Sequence, residues 1–267
     1  MKFRALAIDL DGTLLVGEEV PEENRRAVQA ARDAGLQIIV ATARWHQMAA
    51  RVASHLGISG PIIACSGAQV YLPAEDRDIF DERLPAAFVA ELYERCDAHR
   101  CVATVTVTDE VLLKLDGEPD ASAMSPEMRW VKKLTGAADS LPRVAAIQGS
   151  AINAQLKSEF KPRFGETVHF FDSIGPSGKV ILTLTGRRAS KGVALREACA
   201  HLGLAPADVV AFGDAENDLE MFAVAGAAVA MGQASDAVKA AATYVTERND
   251  QAGVAKAIDR LLFAGRI

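Results

Sequence analysis

The chain has 267 residues, half of them apolar and about a quarter charged, with a formal net charge of −6. That length exceeds one minimal domain and suits a core of ~150 residues plus an accessory domain, and the balanced composition is that of a globular protein with a sizeable core. The acidic balance excludes a nucleic-acid binder that relies on overall positive charge, although a local basic cleft for phosphate would not show in the sum.

In chain order, residues 3–10 are a nearly unbroken apolar run ending in acidic residues and a glycine, which predicts a strand buried on both faces. A helix begins near Pro21, carries Glu22 and Glu23 in its first turn and Ala27, Val28 and Ala31 at helical spacing, and stops at Gly35. A second strand (36–41), a helix (44–56) stopped by Gly57, and a third strand (61–65) follow, so the first 66 residues read β-α-β-α-β. Such alternation predicts a parallel sheet covered on both faces.

From about 84 to 185 the texture changes. The pattern predicts a helix over 86–99, strands over 101–108 and 110–115, a helix near 127–134, a strand over 143–148, a helix over 152–164, and strands over 167–172 and 179–185. Alternation at Val102, Thr104, Thr106 and Thr108 suggests strands with one face off the core, and Gly175-Pro176-Ser177-Gly178 reads as a loop tip. The α/β rhythm then returns: helix 191–202, strand 209–212, helix 217–224, strand 227–231, helix 235–241, a short strand at 244–246, and a closing helix 253–262. The expected fold is therefore a doubly wound, parallel-sheet, Rossmann-like core built from 1–83 and 186–267, interrupted by an α+β insertion over 84–185.

No apolar run approaches the ~20 residues of a membrane span, and Met-Lys-Phe-Arg leads directly into the first strand without a separate leader; the expected compartment is the cytoplasm. Cys65, Cys96, Cys101 and Cys199 have no two-residue gap of a zinc or redox motif, so buried, reduced thiols are expected.

Asp9-Leu10-Asp11-Gly12-Thr13 ends the first predicted strand, the edge at which parallel α/β sheets gather ligands. Residues i and i+2 of an extended segment point the same way, so Asp9 and Asp11 can reach one substrate, Asp9 attacking phosphorus and Asp11 handing a proton to the leaving oxygen. The plain alternative is an Asx-rich turn. Gly213-Asp214-Ala215-Glu216-Asn217-Asp218 follows another buried strand, and Asp214 and Asp218, four apart, can face one point. Asp9, Asp214 and the backbone carbonyl of Asp11 would suit Mg²⁺, a hard cation with oxygen ligands, with Asp218 or Asn217 holding those ligands in place; helix capping by Asp214 or Asn217 is the other reading. Thr42, ending the second strand, could bind phosphate oxygens together with backbone N–H groups of the next helix. Lys191, opening a helix after Ser190, could neutralise the phosphoryl group and the crowded carboxylates. Taken singly, such a Thr or Lys is an ordinary strand or surface residue, and only their shared sheet edge singles them out.

These four segments, in this order, resemble the haloacid dehalogenase superfamily over nearly the whole chain, and the roughly hundred-residue insertion resembles the Cof-type branch with an α/β cap. Cys65-Ser66-Gly67-Ala68 and Asn249-Asp250-Gln251-Ala252-Gly253-Val254 are similar to further segments of that branch. The resemblance implies phosphate contacts at Thr42, Ala43, Arg44, Ser66 and Gly67. It also departs: Ala43 replaces the usual glycine of Thr-Gly-Arg, and Ser66 the usual asparagine of Asn-Gly-Ala, changes that bear on rate and substrate fit more than on reaction type.

The implied activity is Mg²⁺-dependent hydrolysis of a small phosphomonoester, a sugar phosphate or related metabolite, through an aspartyl-phosphate on Asp9, with 84–185 as the cap that closes over the site and selects the leaving group. No obvious basic cluster in the cap points to a substrate that is not heavily charged away from its phosphate. Asp11 argues against dehalogenation, which needs no proton donor there. A phosphomutase or phosphotransferase using the same Asp9, and a silent metabolite-binding protein on the same scaffold, are the alternatives.

Overall fold

The computed structural model describes residues 3–264 apart from 109, 116, 120–123, 125–126 and 175–178; the predicted loop tip at 175–178 lies outside the described residues. In chain order the elements are β1 (Ala5–Asp9), α1 (Glu22–Asp33), β2 (Gln37–Ala41), α2 (His46–His55), β3 (Ile62–Ala64), β4 (Gln69–Leu72) and β5 (Arg77–Asp81). Next come α3 (Ala86–Ala98), β6 (Val102–Thr106), β7 (Val111–Lys114), β8 (Met128–Val131), β9 (Val144–Gln148), α4 (Ser150–Gln155), α5 (Lys161–Phe164), β10 (Val168–Ile174) and β11 (Val180–Gly186). The chain closes with α6 (Lys191–Leu202), β12 (Val209–Gly213), α7 (Leu219–Val224), β13 (Ala227–Ala230), α8 (Asp236–Ala241), β14 (Tyr244–Val245) and α9 (Gly253–Ala264). They form two compact units, one of residues 1–81 and 189–267, the other of residues 82–188.

The first unit holds an eight-stranded sheet in the order β14-β13-β12-β1-β2-β3-β4-β5. From β14 to β3 neighbouring strands run parallel, and β3-β4-β5 continue antiparallel. β1 is wholly buried, as a central parallel strand covered on both faces must be. Alternate residues serve opposite faces: Ala5, Ala7, Ile39, Ala41, Val209 and Ala211 pack against Ala194, Leu195 and Ala198 of α6 and Met221 and Phe222 of α7. Leu6, Ile8, Ile38, Val40, Val210 and Phe212 point the other way and are buried too; α1 and α9 lie against each other in this unit and bury Val28, Ala31, Val254 and Ile258. Strands β4 and β5 have no counterpart in the sequence reading. Both are short, and the β5 edge strand, Arg-Asp-Ile-Phe-Asp, is capped by charges at both ends, which hides a strand signal and blunts an edge.

The second unit is a six-stranded sheet, β10-β11-β9-β6-β7-β8, antiparallel except for the β7–β8 pair. β8 corrects the helix expected near 127–134. Residues Met128 to Val131 pair in register with Val111 to Lys114, and the unpaired ladder of β7, with Trp130 and Val131 suited to a pleated surface, overrides a weak helical pattern. Phe88 of α3 anchors this unit's core, its ring set edge-on to Phe160, Phe164 and Phe170 at centroid distances of 5.8, 5.2 and 5.8 Å. The run expected as one helix over 152–164 is α4 and α5 joined by a wide π turn, Leu156–Phe160. Pro162 follows directly; it lacks an N–H and crowds the preceding turn, and the π turn is how the helix accommodates it. Among the described residues no helix is long and apolar enough to cross a membrane, and all four cysteines are buried and unpaired in disulfides.

Candidate active site

Register brings the site together. Asp9 lies beside Ala41 of β2, and Ile8 beside Phe212 of β12, so β1, β2 and β12 end at one edge and release Leu10-Asp11-Gly12, Thr42-Ala43-Arg44 and Asp214 side by side. Gly12 (φ +79°) turns the chain out of β1, and a Cβ on it would lie 2.4 Å from Asp214 Oδ2. Gly213 does the same on the other strand, where a Cβ would fall 2.4 Å from the Asp218 carboxylate. Both glycines clear the space into which these acids point.

Asp9, Asp214 and Asp218 each place a carboxylate oxygen within 4.8 Å of the others. Lys191, at the first position of α6, reaches into this cluster from a helix start capped by Ser190, whose hydroxyl accepts the Val193 N–H. Its ammonium is 2.6 Å from Asp9 Oδ1 and 2.6 Å from Asp218 Oδ1, and its side chain is fully buried. Burial alone would lower its pKa, but Asp218 and Asp9 outweigh that and hold it above its ordinary value. Burial pushes Asp9 well above the usual carboxylate range against the lowering effect of the Lys191 ammonium, and Asp218 and Asp214 add to the rise. Asp214 is raised by burial and Asp218, against hydrogen bonds from Thr13 and Gln233. Two buried carboxylates paired with one ammonium, and the half-buried Asp214 beside them, are an oxygen-rich, net-negative set of the kind that suits a hard divalent cation.

Asp218 lies in the same carboxylate cluster. Its Oδ1 takes Lys191, and its Oδ2 accepts the N–H groups of Asp214 and Ala215 at 3.0 and 3.1 Å, so it orients its neighbours. Asn217 is exposed on the same turn. The Asp11 carboxylate turns away from the cluster and forms a two-oxygen pair with Arg44, whose Nη2 is 2.6 Å from Asp11 Oδ1. Arg44 also holds Glu18 at 2.8 Å, so in this structure its guanidinium is engaged by carboxylates.

The remaining segments lock onto this edge. Thr42 is buried, and its hydroxyl accepts the Arg44 N–H at 3.1 Å; Ala43 lies between them. The N–H groups of Cys65 and Ser66 bond to the carbonyls of Arg44 and Thr42 at 2.9 and 3.1 Å. Cys65, Ser66 and Gly67 all have positive φ, an uncommon run that costs energy at the two non-glycine positions and is typical of functional turns. A Cβ on Gly67 would lie 2.1 Å from the Ser190 carbonyl carbon, so this turn abuts the start of α6. Three polar residues at the site escaped the sequence reading as single residues: Thr13, bonded to Asp214 at 3.1 Å; Gln233, bonded to the Gly12 carbonyl; and Asn249, bonded to the Leu15 carbonyl at 2.9 Å. Asn249 lies in a segment singled out by resemblance, whereas Gln233 carried no local signal.

A doubly wound core with acidic loops at the carboxyl edge of its parallel strands, a buried lysine among them and a second α/β unit inserted in the chain defines a class of phosphoryl-transfer hydrolases. The match to a family model makes this specific: residues 6–258 fit the haloacid dehalogenase-like hydrolases, and the chain belongs to that family. It is 29% identical to a Bacillus subtilis 5-amino-6-(5-phospho-D-ribitylamino)uracil phosphatase, over 97% of this chain and 98% of the relative. Identity to the Escherichia coli pyridoxal phosphate phosphatase is 28%, over 97% and 98%. A haloacid dehalogenase-like hydrolase from Bacteroides thetaiotaomicron superposes with a TM-score of 0.85 at 26% identity, covering 97% of this chain and 99% of that one.

Proposed function

We propose that the protein is a Mg²⁺-dependent phosphatase of small phosphomonoesters, sugar phosphates or related metabolites, working through an aspartyl-phosphate on Asp9. The observation that carries this reading is the Lys191 ammonium, buried between Asp9 and Asp218 at 2.6 Å from each, with Asp214 in the same cluster. Asp9, Asp214 and the Asp11 carbonyl would hold Mg²⁺, with Asp218 and Asn217 behind them. When bound, the cation supplies positive charge against the phosphoryl oxygens.

The chain's own groups do the rest. The Asp9 carboxylate attacks phosphorus and the ester oxygen leaves, taking a proton from Asp11; Asp11 then receives a proton from the water that cleaves the acyl phosphate, releasing inorganic phosphate and restoring Asp9. Lys191 neutralises the charge spread over the phosphoryl oxygens, and the Thr42–Arg44 and Ser66–Gly67 loops border that position. Residues 84–185 serve as the cap that selects the leaving group. The activities of the two relatives, both phosphatases of phosphorylated small metabolites, support the substrate class, and four buried cysteines outside any disulfide suit a reducing cytoplasm.

Phosphate release from p-nitrophenyl phosphate and a panel of phosphorylated metabolites, with Mg²⁺ and with EDTA, tests this. Turnover is expected only with Mg²⁺ and is abolished in Asp9→Asn, whose amide cannot form the acyl phosphate. An Asp9→Asn enzyme that turns over at the wild-type rate would refute the assignment.

A further inference from the structure

The loop that follows β1 uses its own donors inward: the N–H groups of Thr13 and Leu15 bond to the Leu10 carbonyl at 3.2 and 2.9 Å, and that of Leu14 to the Asp9 carbonyl at 3.2 Å. Its outward carbonyls are met by three side-chain amides from distant parts of the chain. Gln233 Nε2 donates to the Gly12 carbonyl, Asn24 Nδ2 to Leu14 at 3.1 Å, and Asn249 Nδ2 to Leu15 at 2.9 Å. Two of the three are linked, because Gln233 Oε1 accepts the Asn249 N–H at 3.1 Å.

Asn24 is fully buried and its Oδ1 takes the Ala255 N–H at 3.1 Å; it ties the loop to α9 and is accounted for by packing. Gln233 differs in where its bond falls. Gly12 is the residue whose missing Cβ makes room for Asp214, with Asp214 Oδ2 at 2.4 Å from the ideal Cβ position, and the next residue, Thr13, donates to Asp214 Oδ1 at 3.1 Å. Fixing the Gly12 carbonyl therefore fixes the peptide adjoining the Asp11 carbonyl, and the aim of Asp214 is set through Thr13 and by the direct bond that Gln233 makes to that carboxylate. The position calls for a neutral amide, since one group must donate to a carbonyl while accepting from an N–H; a carboxylate or an apolar chain of the same length does only one of these, or neither.

We propose that Gln233 and Asn249 form a positioning strap that sets the loop after β1 against Asp214, and that divalent-cation affinity depends on it. The inference rests on the reading of Asp9, Asp214 and the Asp11 carbonyl as the cation's ligands. Neither strap residue touches the cation or the substrate; both act through the groups that do, the kind of outer contact whose loss costs about 10- to 100-fold in metal affinity.

The test is calorimetric titration of the full-length, metal-free protein with magnesium chloride, for wild type, Gln233→Met and Asn249→Ala, with thermal unfolding of each metal-free form alongside. Gln233→Met removes the amide's bonds to the Gly12 carbonyl, the Asn249 N–H and Asp214 at nearly constant length, and should raise the Mg²⁺ dissociation constant about tenfold or more. The Mg²⁺ concentration for half-maximal phosphate release should rise by the same factor, while the rate at saturating Mg²⁺ stays near wild type. Asn249→Ala removes the Leu15 bond but keeps the backbone donor to Gln233, so it should act in the same direction and more weakly. Both side chains are half-buried, and the second variant decides the matter if the first does not fold. Lower metal-free stability with wild-type Mg²⁺ affinity would overturn the strap and leave only a loop brace. A wild type that neither binds Mg²⁺ nor releases phosphate would instead bring down the parent reading, and the strap with it.

Discussion

Lys191 is a long cation with a fully buried side chain, held by Asp9 and Asp218 at 2.6 Å each. Removing one partner of a buried ionic group strands the others, at a cost of about 3–5 kcal/mol. Lys191→Met should lose stability of that order at neutral pH, read by chemical denaturation. The pH dependence has a definite sign. Asp9 and Asp214 already sit above the ordinary carboxylate value, and loss of the ammonium pushes them further the same way. The native state then binds more protons than the unfolded chain between about pH 4, the ordinary carboxylate range, and the raised folded value, so stability falls as pH rises through that window. Lowering the pH from 7 toward 5 should therefore restore part of the loss, and Mg²⁺ should do likewise. A variant equally unstable at both pH values and blind to Mg²⁺ would contradict this account.

At the scale of elements, the short turns between strands and helices carry the constraints. The Cys65–Gly67 turn is bonded to the Thr42–Arg44 loop through two backbone hydrogen bonds and abuts the start of α6. In Gly67→Ala the new methyl would meet backbone atoms of Ser190 at 2.1 and 2.3 Å, at a φ of +88°, and backbone cannot rotate aside as a side chain can. A loss of about 2–3 kcal/mol is expected, together with reduced phosphate release, because the same shift moves Lys191. A denaturation midpoint matching wild type would show that the turn yields more easily than this packing implies. The π turn before Pro162 and the β8 strand are the corresponding features of the inserted unit, each set by a neighbour: the proline in one case, the open ladder of β7 in the other.

At the scale of the whole molecule, the inserted unit has what independent folding requires. Its core runs from Phe88, Leu92 and Cys96 of α3 to Ala103, Ile147, Phe160 and Leu184, its sheet is complete in itself, and its two ends meet, with the Arg188 N–H 3.4 Å from the Glu82 carboxylate. Residues 82–188 expressed alone should unfold cooperatively in a circular-dichroism melt. Phe88→Ala in that fragment should cost about 3–5 kcal/mol. A fragment without a cooperative transition would show that the unit depends on the rest of the chain.

The sequence by itself determined the doubly wound core and most of the site. Long apolar runs ending in Asp9-Leu10-Asp11-Gly12 and Gly213-Asp214 declare buried parallel strands with acids at one end, because covering both faces leaves only the strand ends for chemistry. It also placed Lys191 at a helix start. Tertiary structure alone decided what these side chains do to one another. That Asp218 stands among the carboxylates, that Asp11 pairs with Arg44, that β8 is a strand, and that Gln233 reaches Gly12 from 221 residues away all follow from distances between chain segments. Local pattern encodes which face a residue takes, and side-chain partners are chosen only once the sheet order has set which loops lie adjacent.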